Sequence, residues 1–267
     1  MTDQNLVVIV LAAGAGTRMK STKPKILHSL AGVPLVGHVL ATARALEPSQ
    51  VIAVVRHERE LVVSALTEHL PEIVIVDQDD IPGTGRAVEV ALDALPADFA
   101  GEVVIVSGDV PMLDAETLGQ LIAEHRAAAA GATLLSAILD DATGYGRVVR
   151  SADGSLDRIV EHKDASDDDL RITEVNSGTY VFSVAPLREQ LALVGTDNAQ
   201  KEKYLTDVVG LMRAAGTTVS AMPAAAAWIV AGINDRAQLG EAAQRMNSLI
   251  VRGHQLNGVT VQDPAST

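Results

Sequence analysis

Short β-branched apolar runs alternate with longer Ala/Leu-rich amphipathic stretches through the first half of this chain, and that alternation restricts the fold most. The runs are Leu6–Leu11, Val51–Val55, Ile73–Val76, Val103–Val106 and Thr133–Leu139. Between them, helical periodicity covers Leu35–Leu46, Glu58–Leu70, Gly85–Leu95 and Asp114–Ala130. This spacing predicts βαβ units and a mostly parallel sheet. The runs are continuously apolar, so both faces of the sheet should be covered. With 267 residues, 48% of them apolar, the chain is long enough to bury a sizeable core.

The pattern changes after Asp140. Arg147–Arg150 and Leu156–Glu161 flank an Asp-Gly turn at Asp153-Gly154 and predict a hairpin. Glu174–Phe182 and Val219–Met222 predict further strands, and Tyr204–Ala215 a helix. The acidic stretch 163–171 reads as a mobile loop, and Asn234–Val251 as a long helix. The second half therefore predicts a small antiparallel excursion that walls one side of a site.

The chemistry begins where the first run ends. Leu11-Ala-Ala-Gly-Ala-Gly-Thr-Arg-Met19 continues to Lys23-Pro-Lys25. Glycines let a backbone approach a phosphate and turn its N–H groups inward, and Arg and Lys neutralise the charge. The net charge of −13 argues against a nucleic-acid or anionic-membrane partner. Yet from Gln4 to Leu46 there is no Asp or Glu, while Arg18, Lys20, Lys23, Lys25 and Arg44 fall inside that window. A strand, a glycine loop and then a helix predict a phosphate cradle at the carboxyl end of the sheet. The loop lacks the third glycine of the dinucleotide fingerprint and the Gly-Lys-Ser/Thr ending of a Walker loop.

Other positions follow the same edge. In Ser107-Gly-Asp-Val-Pro111, Asp109 suits Mg²⁺, a hard cation that prefers oxygen, while Asp114 is placed to cap the next helix. Gln78 and Pro82-Gly-Thr-Gly-Arg86 suit a base edge, or equally an ordinary turn with Thr84 capping a helix. Gly144-Tyr-Gly-Arg147, Glu161, Lys163, Asn176-Ser-Gly178 and Thr206 offer the mixed donors and acceptors that a sugar needs. Asn234 reads locally as a helix N-cap. The seven histidines lack metal-ligand spacing. Aromatics are 2% of the chain, so stacking platforms for single-stranded nucleic acid are scarce. There is no cysteine, no signal-peptide pattern and no apolar stretch of membrane-span length, from which a cytoplasmic protein is expected.

Taken in order, Leu11-Ala-Ala-Gly-x-Gly-Thr-Arg-Met19, Pro24-Lys-x-Leu-His-x-Leu-Ala-Gly32, Gly83-Thr-Gly85, Gly108-Asp-Val-Pro111, Gly144-Tyr-Gly-Arg147, Ile159-Val-Glu-His-Lys-Asp164, Val175-Asn-x-Gly178, Tyr204-Leu-Thr-Asp207 and Gly232-Ile-Asn234 carry a family resemblance. The sequence resembles the uridylyltransferase domain of the bacterial bifunctional N-acetylglucosamine-1-phosphate uridylyltransferase/glucosamine-1-phosphate acetyltransferases over residues 6–264. The Pro24–Gly32 run separates it from cytidylyltransferases and molybdenum-cofactor guanylyltransferases, which share mainly the opening loop. The resemblance implies a three-layer α/β/α, Rossmann-like nucleotide-diphospho-sugar transferase fold. It also implies formation of UDP-N-acetylglucosamine and pyrophosphate from UTP and N-acetylglucosamine 1-phosphate with Mg²⁺. Leu11, Ala12, Ala13, Gly14, Gln78, Gly83, Thr84 and Ser107 would then bind the nucleotide. Arg18 and Lys25 would act on the triphosphate, with Lys25 among the nucleotide contacts. Asp109 and Asn234 would hold the metal, and Gly146, Glu161, Asn176 and Thr206 the sugar. Two other readings remain: a different sugar-1-phosphate nucleotidyltransferase, or a nucleotide-binding regulatory module without turnover.

The sequence departs from the family in two places. Arg86 stands where members commonly have His after Gly-Thr-Gly. The family also continues into a left-handed β-helix of hexapeptide repeats that carries the acetyltransferase and builds a trimer. Val259–Pro264 resembles its first coil, and this chain ends at Thr267. The expected organisation is a nucleotidyltransferase domain over 1–233, a helix over 234–254 and the start of the β-helix over 255–267. No acetyl transfer is expected, and a monomer or weak dimer is expected in place of the trimer.

Overall fold

In the computed structural model, which describes residues 3–267, every apolar run of the first half forms a strand. The first half runs β1 (Asp3–Leu11), β2 (Ser29–Leu30), β3 (Val33–Pro34), α1 (Leu35–Ala45), β4 (Pro48–Val55), α2 (Arg59–His69), β5 (Val74–Asp77), α3 (Thr84–Asp93), β6 (Glu102–Ser107), α4 (Ala115–Ala127) and β7 (Ala132–Ile138). There follow β8 (Arg147–Arg150), β9 (Leu156–Val160), α5 (Asp167–Leu170), β10 (Glu174–Ser183), α6 (Val184–Leu191), α7 (Asp207–Ala214), β11 (Val219–Pro223) and α8 (Arg236–Leu256).

The main sheet has the order β11-β7-β10-β6-β1-β4-β5. β1 is parallel to both β4 and β6, and β5 is parallel to β4. β10 runs antiparallel between β6 and β7. The β8–β9 hairpin attaches to β10 through Arg147 and Val175. The antiparallel excursion is thus built into the main sheet as well as beside it.

Strand alternation sends Val8 and Val10 to one face, where they pack with residues of α1, α2 and α4. Val7 and Ile9 go to the other, against α3, α6 and α7. Both sets are fully buried, which is why these strands are apolar at every position. Three layers result, and the parallel strands leave their carboxyl ends on one edge.

Several sequence expectations need correction. The glycine loop does not lead into a helix: it makes one 3₁₀ turn, Thr17–Met19, and the first α-helix starts at Leu35. Phosphate charge there would meet side chains and loop N–H groups instead of a helix dipole. The acidic stretch 163–171 is not simply a loop. Ser166 accepts from Asp169 N and the Asp169 carboxylate accepts from Ser166 N, a capping box that starts α5. The Tyr204–Ala215 helix begins later, at Asp207. The last helix spans Arg236–Leu256, and its N-cap is Asp235, whose side chain accepts from Gln238 N. Residues 258–267 form turns and contain no strand. Among the described residues no helix is long and apolar enough to cross a membrane.

Asp114 caps α4 as expected, its side chain accepting from Thr117 N at 2.7 Å. Asp114→Ala should lower stability by about 1 kcal/mol in urea unfolding, and Asp114→Asn should retain most of it. Equal losses in both variants would contradict the capping role.

Candidate functional site

The loops after β1, β4, β5 and β6 open on the same sheet edge and line a cavity of about 320 Å³. Leu11, Ala12, Ala13, Gly14, Lys25, Gln78, Gly83, Thr84, Ser107 and Asp109 all face it. The strand pairing makes this convergence inevitable. Leu11 lies in register with Ser107 on β6 and with Val54 on β4, so the β1 loop departs between two neighbours. Ala12 N donates to Val54 O and Gly108 N donates to Leu11 O, both at 2.9 Å.

Two glycines are fixed by geometry. Gly16 has φ +61°, and a Cβ there would collide with Lys25 Cβ. Gly83 has φ +113°, and a Cβ there would collide with the Lys203 carbonyl. Around Gly83 the backbone forms a clasp. Lys203 N donates to Pro82 O at 2.9 Å, and Gly85 N donates to Lys203 O at 2.8 Å. Gly83, not Thr84, is the N-cap of α3, and the Thr84 hydroxyl accepts from Leu205 N at 3.3 Å. The Gln78 amide donates to Ile81 O and Gly83 O at 3.0 Å, which folds the loop back toward β5.

The cationic island meets the candidate metal ligands at the mouth of this cavity. The Lys25 ammonium pairs with Asp109 Oδ2 and donates to Asn234 Oδ1 at 3.0 Å. Arg18 Nη2 donates to the same Asn234 oxygen at 2.8 Å. Ile233 N donates to Asp109 O at 2.9 Å, which binds the entry of α8 to the turn after β6. The Lys25 and Asp109 side chains are 12% and 13% exposed, so the pair is largely withdrawn from water.

A second group forms where β8, β9 and β10 approach α7. Thr206 Oγ1 donates to Glu161 Oε1 at 3.0 Å. A Cβ on Gly146 would lie within 3.5 Å of Glu161 Oε2, and Asn176 N donates to Gly146 O at 2.9 Å. Asn176 lies at a register shift of β10, where a bulge re-aims side chains. Burial pushes the Glu161 carboxyl above the usual carboxylate range. The Thr206 bond opposes this, and the charges of Asp207, Asp164 and Glu202 add to it. Tyr145 adjoins the two groups: burial raises its phenol, and so does the nearby Asp109 carboxylate, against Arg18. The edge is therefore cationic at one end and rich in carboxylates at the other.

A profile of the MobA-like NTP transferase domain matches residues 8–192. The chain belongs to this family of nucleotidyltransferase domains. It is 61% identical, over its whole length, to the bifunctional protein GlmU of Leifsonia xyli subsp. xyli, covering 55% of that protein. It is 56% identical over 98% of its length to the bifunctional protein GlmU of Clavibacter sepedonicus, covering 53% of it. The chain thus spans about half the length of these curated relatives. A crystal structure of UDP-glucose pyrophosphorylase complexed with UDP-glucose superposes with a TM-score of 0.69 at 14% identity, over 90% of this chain and 97% of that one. It has the same fold: a mostly parallel sheet between helices with a small antiparallel pair.

For a MobA-like NTP transferase domain, the sequence reading missed part of the cavity wall. Arg56 and His57 line it, directly after β4. The rule that ligands bind beyond the carboxyl ends of strands would have found them. Glu202 also lines it, and no local pattern marks that residue. Arg86 faces away from the cavity's contacts into an ion-pair network. Its guanidinium donates to Asp79 and Glu89, and Lys203 Nζ reaches Glu89 at 2.8 Å. The cation thus braces the loop after β5 from behind.

Burial of Glu161 yields a pH prediction. Its folded pKa lies above the ordinary 4.5. Its contribution to stability is therefore fully present below that value and is lost as pH rises through the raised one. Glu161→Gln, which still offers Thr206 an acceptor, should lose less stability than the parent between pH 4.5 and neutrality. Parallel curves of urea midpoint against pH would show that Glu161 titrates normally.

Proposed function

We propose that this chain transfers a uridylyl group from UTP to N-acetylglucosamine 1-phosphate, giving UDP-N-acetylglucosamine and pyrophosphate. The observation that carries the reading is the convergence of Asp109 and Asn234 on Lys25 and Arg18 at the mouth of the glycine-lined cavity. The sequence resemblance supplies uracil and the N-acetyl group. The cavity supports a nucleotide, and the grouping of Glu161, Asn176, Gly146 and Thr206 supports a sugar. A cysteine-free chain fits a cytosolic setting.

The residues also fit Mg²⁺. A carboxylate and an amide oxygen already share one cation, the Lys25 ammonium, and both are ligands a hard divalent ion prefers. Among the described residues there is no group of three or more His, Cys, Asp or Glu placed to hold a metal. Such a site suits an ion that takes one or two protein oxygens and completes its shell with phosphates and water. When bound, Mg²⁺ would supply charge neutralisation at the phosphate oxygens.

The chain's own residues account for the rest. An oxygen of the sugar phosphate attacks the α-phosphorus, and the α–β bridging bond breaks with its electron pair leaving on pyrophosphate. The nucleophile is already ionised, so no protein base is needed and positioning and charge stabilisation carry the rate. Lys25 and Arg18 neutralise the departing charge. The loop around Gly14 and the Gly83 clasp hold the nucleoside. Glu161, Asn176 and Thr206 hold the sugar so that its phosphate reaches the cations.

Pyrophosphate release from UTP and N-acetylglucosamine 1-phosphate should be Mg²⁺-dependent and should exceed release with CTP, GTP, dTTP or other sugar phosphates. A different preferred pair would reassign the substrate class. Asp109→Ala should abolish nearly all turnover with the fold retained. Lys25→Ala should lower kcat/KM by an amount equivalent to about 2–4 kcal/mol of transition-state stabilisation, the scale of one lost donor to developing charge. Preference among UTP, CTP and dTTP should not change, and a switch of base preference would remove Lys25 from the phosphate site.

A further inference from the structure

The first turn of α8 does more than start a helix. Asp235 caps it by accepting from Gln238 N at 2.9 Å. In a capping box the residue three positions on returns the bond to the cap's own N–H. Here Gln238 Oε1 instead accepts from the N–H of Asn234, one residue earlier, at 2.7 Å. Two successive backbone N–H groups, those of Ile233 and Asn234, are thereby fixed. Ile233 N is held by Asp109 O, and Asn234 N by Gln238. The Asn234 side-chain amide donates to Gly232 O at 3.3 Å, which turns its oxygen toward Lys25 and Arg18. In the same turn Arg236 Nε donates to Met19 O at 3.2 Å, tying the end of the cationic loop to this helix.

We propose that Gln238 is a positioning residue for the metal site. Through the Asn234 N–H it fixes the backbone from which the Asn234 side chain projects toward Lys25 and Arg18, and it touches no reacting atom. This rests on the reading of Asn234 as a metal ligand. Partners that orient a metal ligand affect affinity strongly although they never meet the ion. A plain helix cap would affect stability alone. Gln238 also lines a cavity of about 250 Å³ with Tyr145, Trp228 and Arg245.

The test compares Gln238→Ala, Gln238→Glu and Asn234→Ala in the full chain. Two metal readouts are taken: the Mg²⁺ concentration for half-maximal rate, and the affinity of the nucleotide-free protein for Mn²⁺ by electron paramagnetic resonance. Gln238→Ala should weaken both by about tenfold with a much smaller change in KM for UTP. Gln238→Glu, which keeps an acceptor for the Asn234 N–H, should restore them. If Gln238→Ala lowers only the melting temperature, or if Glu fails to rescue, Gln238 is a cap and the proposal falls. If Asn234→Ala weakens Mn²⁺ binding and Gln238→Ala does not, the positioning role alone is wrong. If Asn234→Ala leaves Mn²⁺ binding unchanged, the metal assignment itself fails, and this inference with it.

Discussion

Lys25 holds Asp109 and Asn234 on one ammonium group, and that bridge joins three distant parts of the chain: the glycine loop, the turn after β6 and the entry to α8. An ion pair withdrawn from water is a weak source of net stability, because desolvation offsets much of the attraction. Removing one partner, however, leaves the other charge uncompensated. The bridge is best understood as a means of keeping two oxygens together at a fixed place. Gly16 serves the same end, since any side chain there would displace Lys25.

The rest of the structure sets the surroundings of that bridge. The parallel core brings the loops of β1, β4, β5 and β6 to one edge, and the insertion of β10 beside β6 carries Asn176 to the flank. The clasp between residues 82–85 and 203–205 links the two halves of the site. One side of it carries Gly83 and Thr84, and the other passes directly to Thr206, which bonds Glu161. Charge is divided along the edge to match the proposed substrates. With those substrates bound, the cations would face the phosphates, and the carboxylates the hydroxyls that can donate to them.

Much of this was legible in the sequence because local rules governed it. Continuous apolar strands such as Val103–Val106 are apolar since helices cover both faces, and glycines beside cations have few other uses. The helix α6 was not read, because it follows β10 with no intervening loop and carries Pro186 in its first turn. The place of β10 between β6 and β7 depends on long-range pairing that no window of sequence contains. Gln238 could have been found from its spacing after Asp235, a capping-box pattern. The bond it makes to Asn234 could not, because that depends on how the chain enters the helix. Glu202 reaches the cavity only because the clasp places it there.

On the proposed function, the Lys25 ammonium lies between the two oxygens, of Asp109 and Asn234, that would hold a divalent cation. Titration of nucleotide-free Lys25→Met with Mn²⁺, followed by electron paramagnetic resonance beside the parent chain, checks this arrangement. Loss of the ammonium should free Asp109 and Asn234, and the variant should bind Mn²⁺ more tightly than the parent although it turns over poorly. Equal or weaker binding by a folded Lys25→Met variant would contradict the claim and place the metal elsewhere.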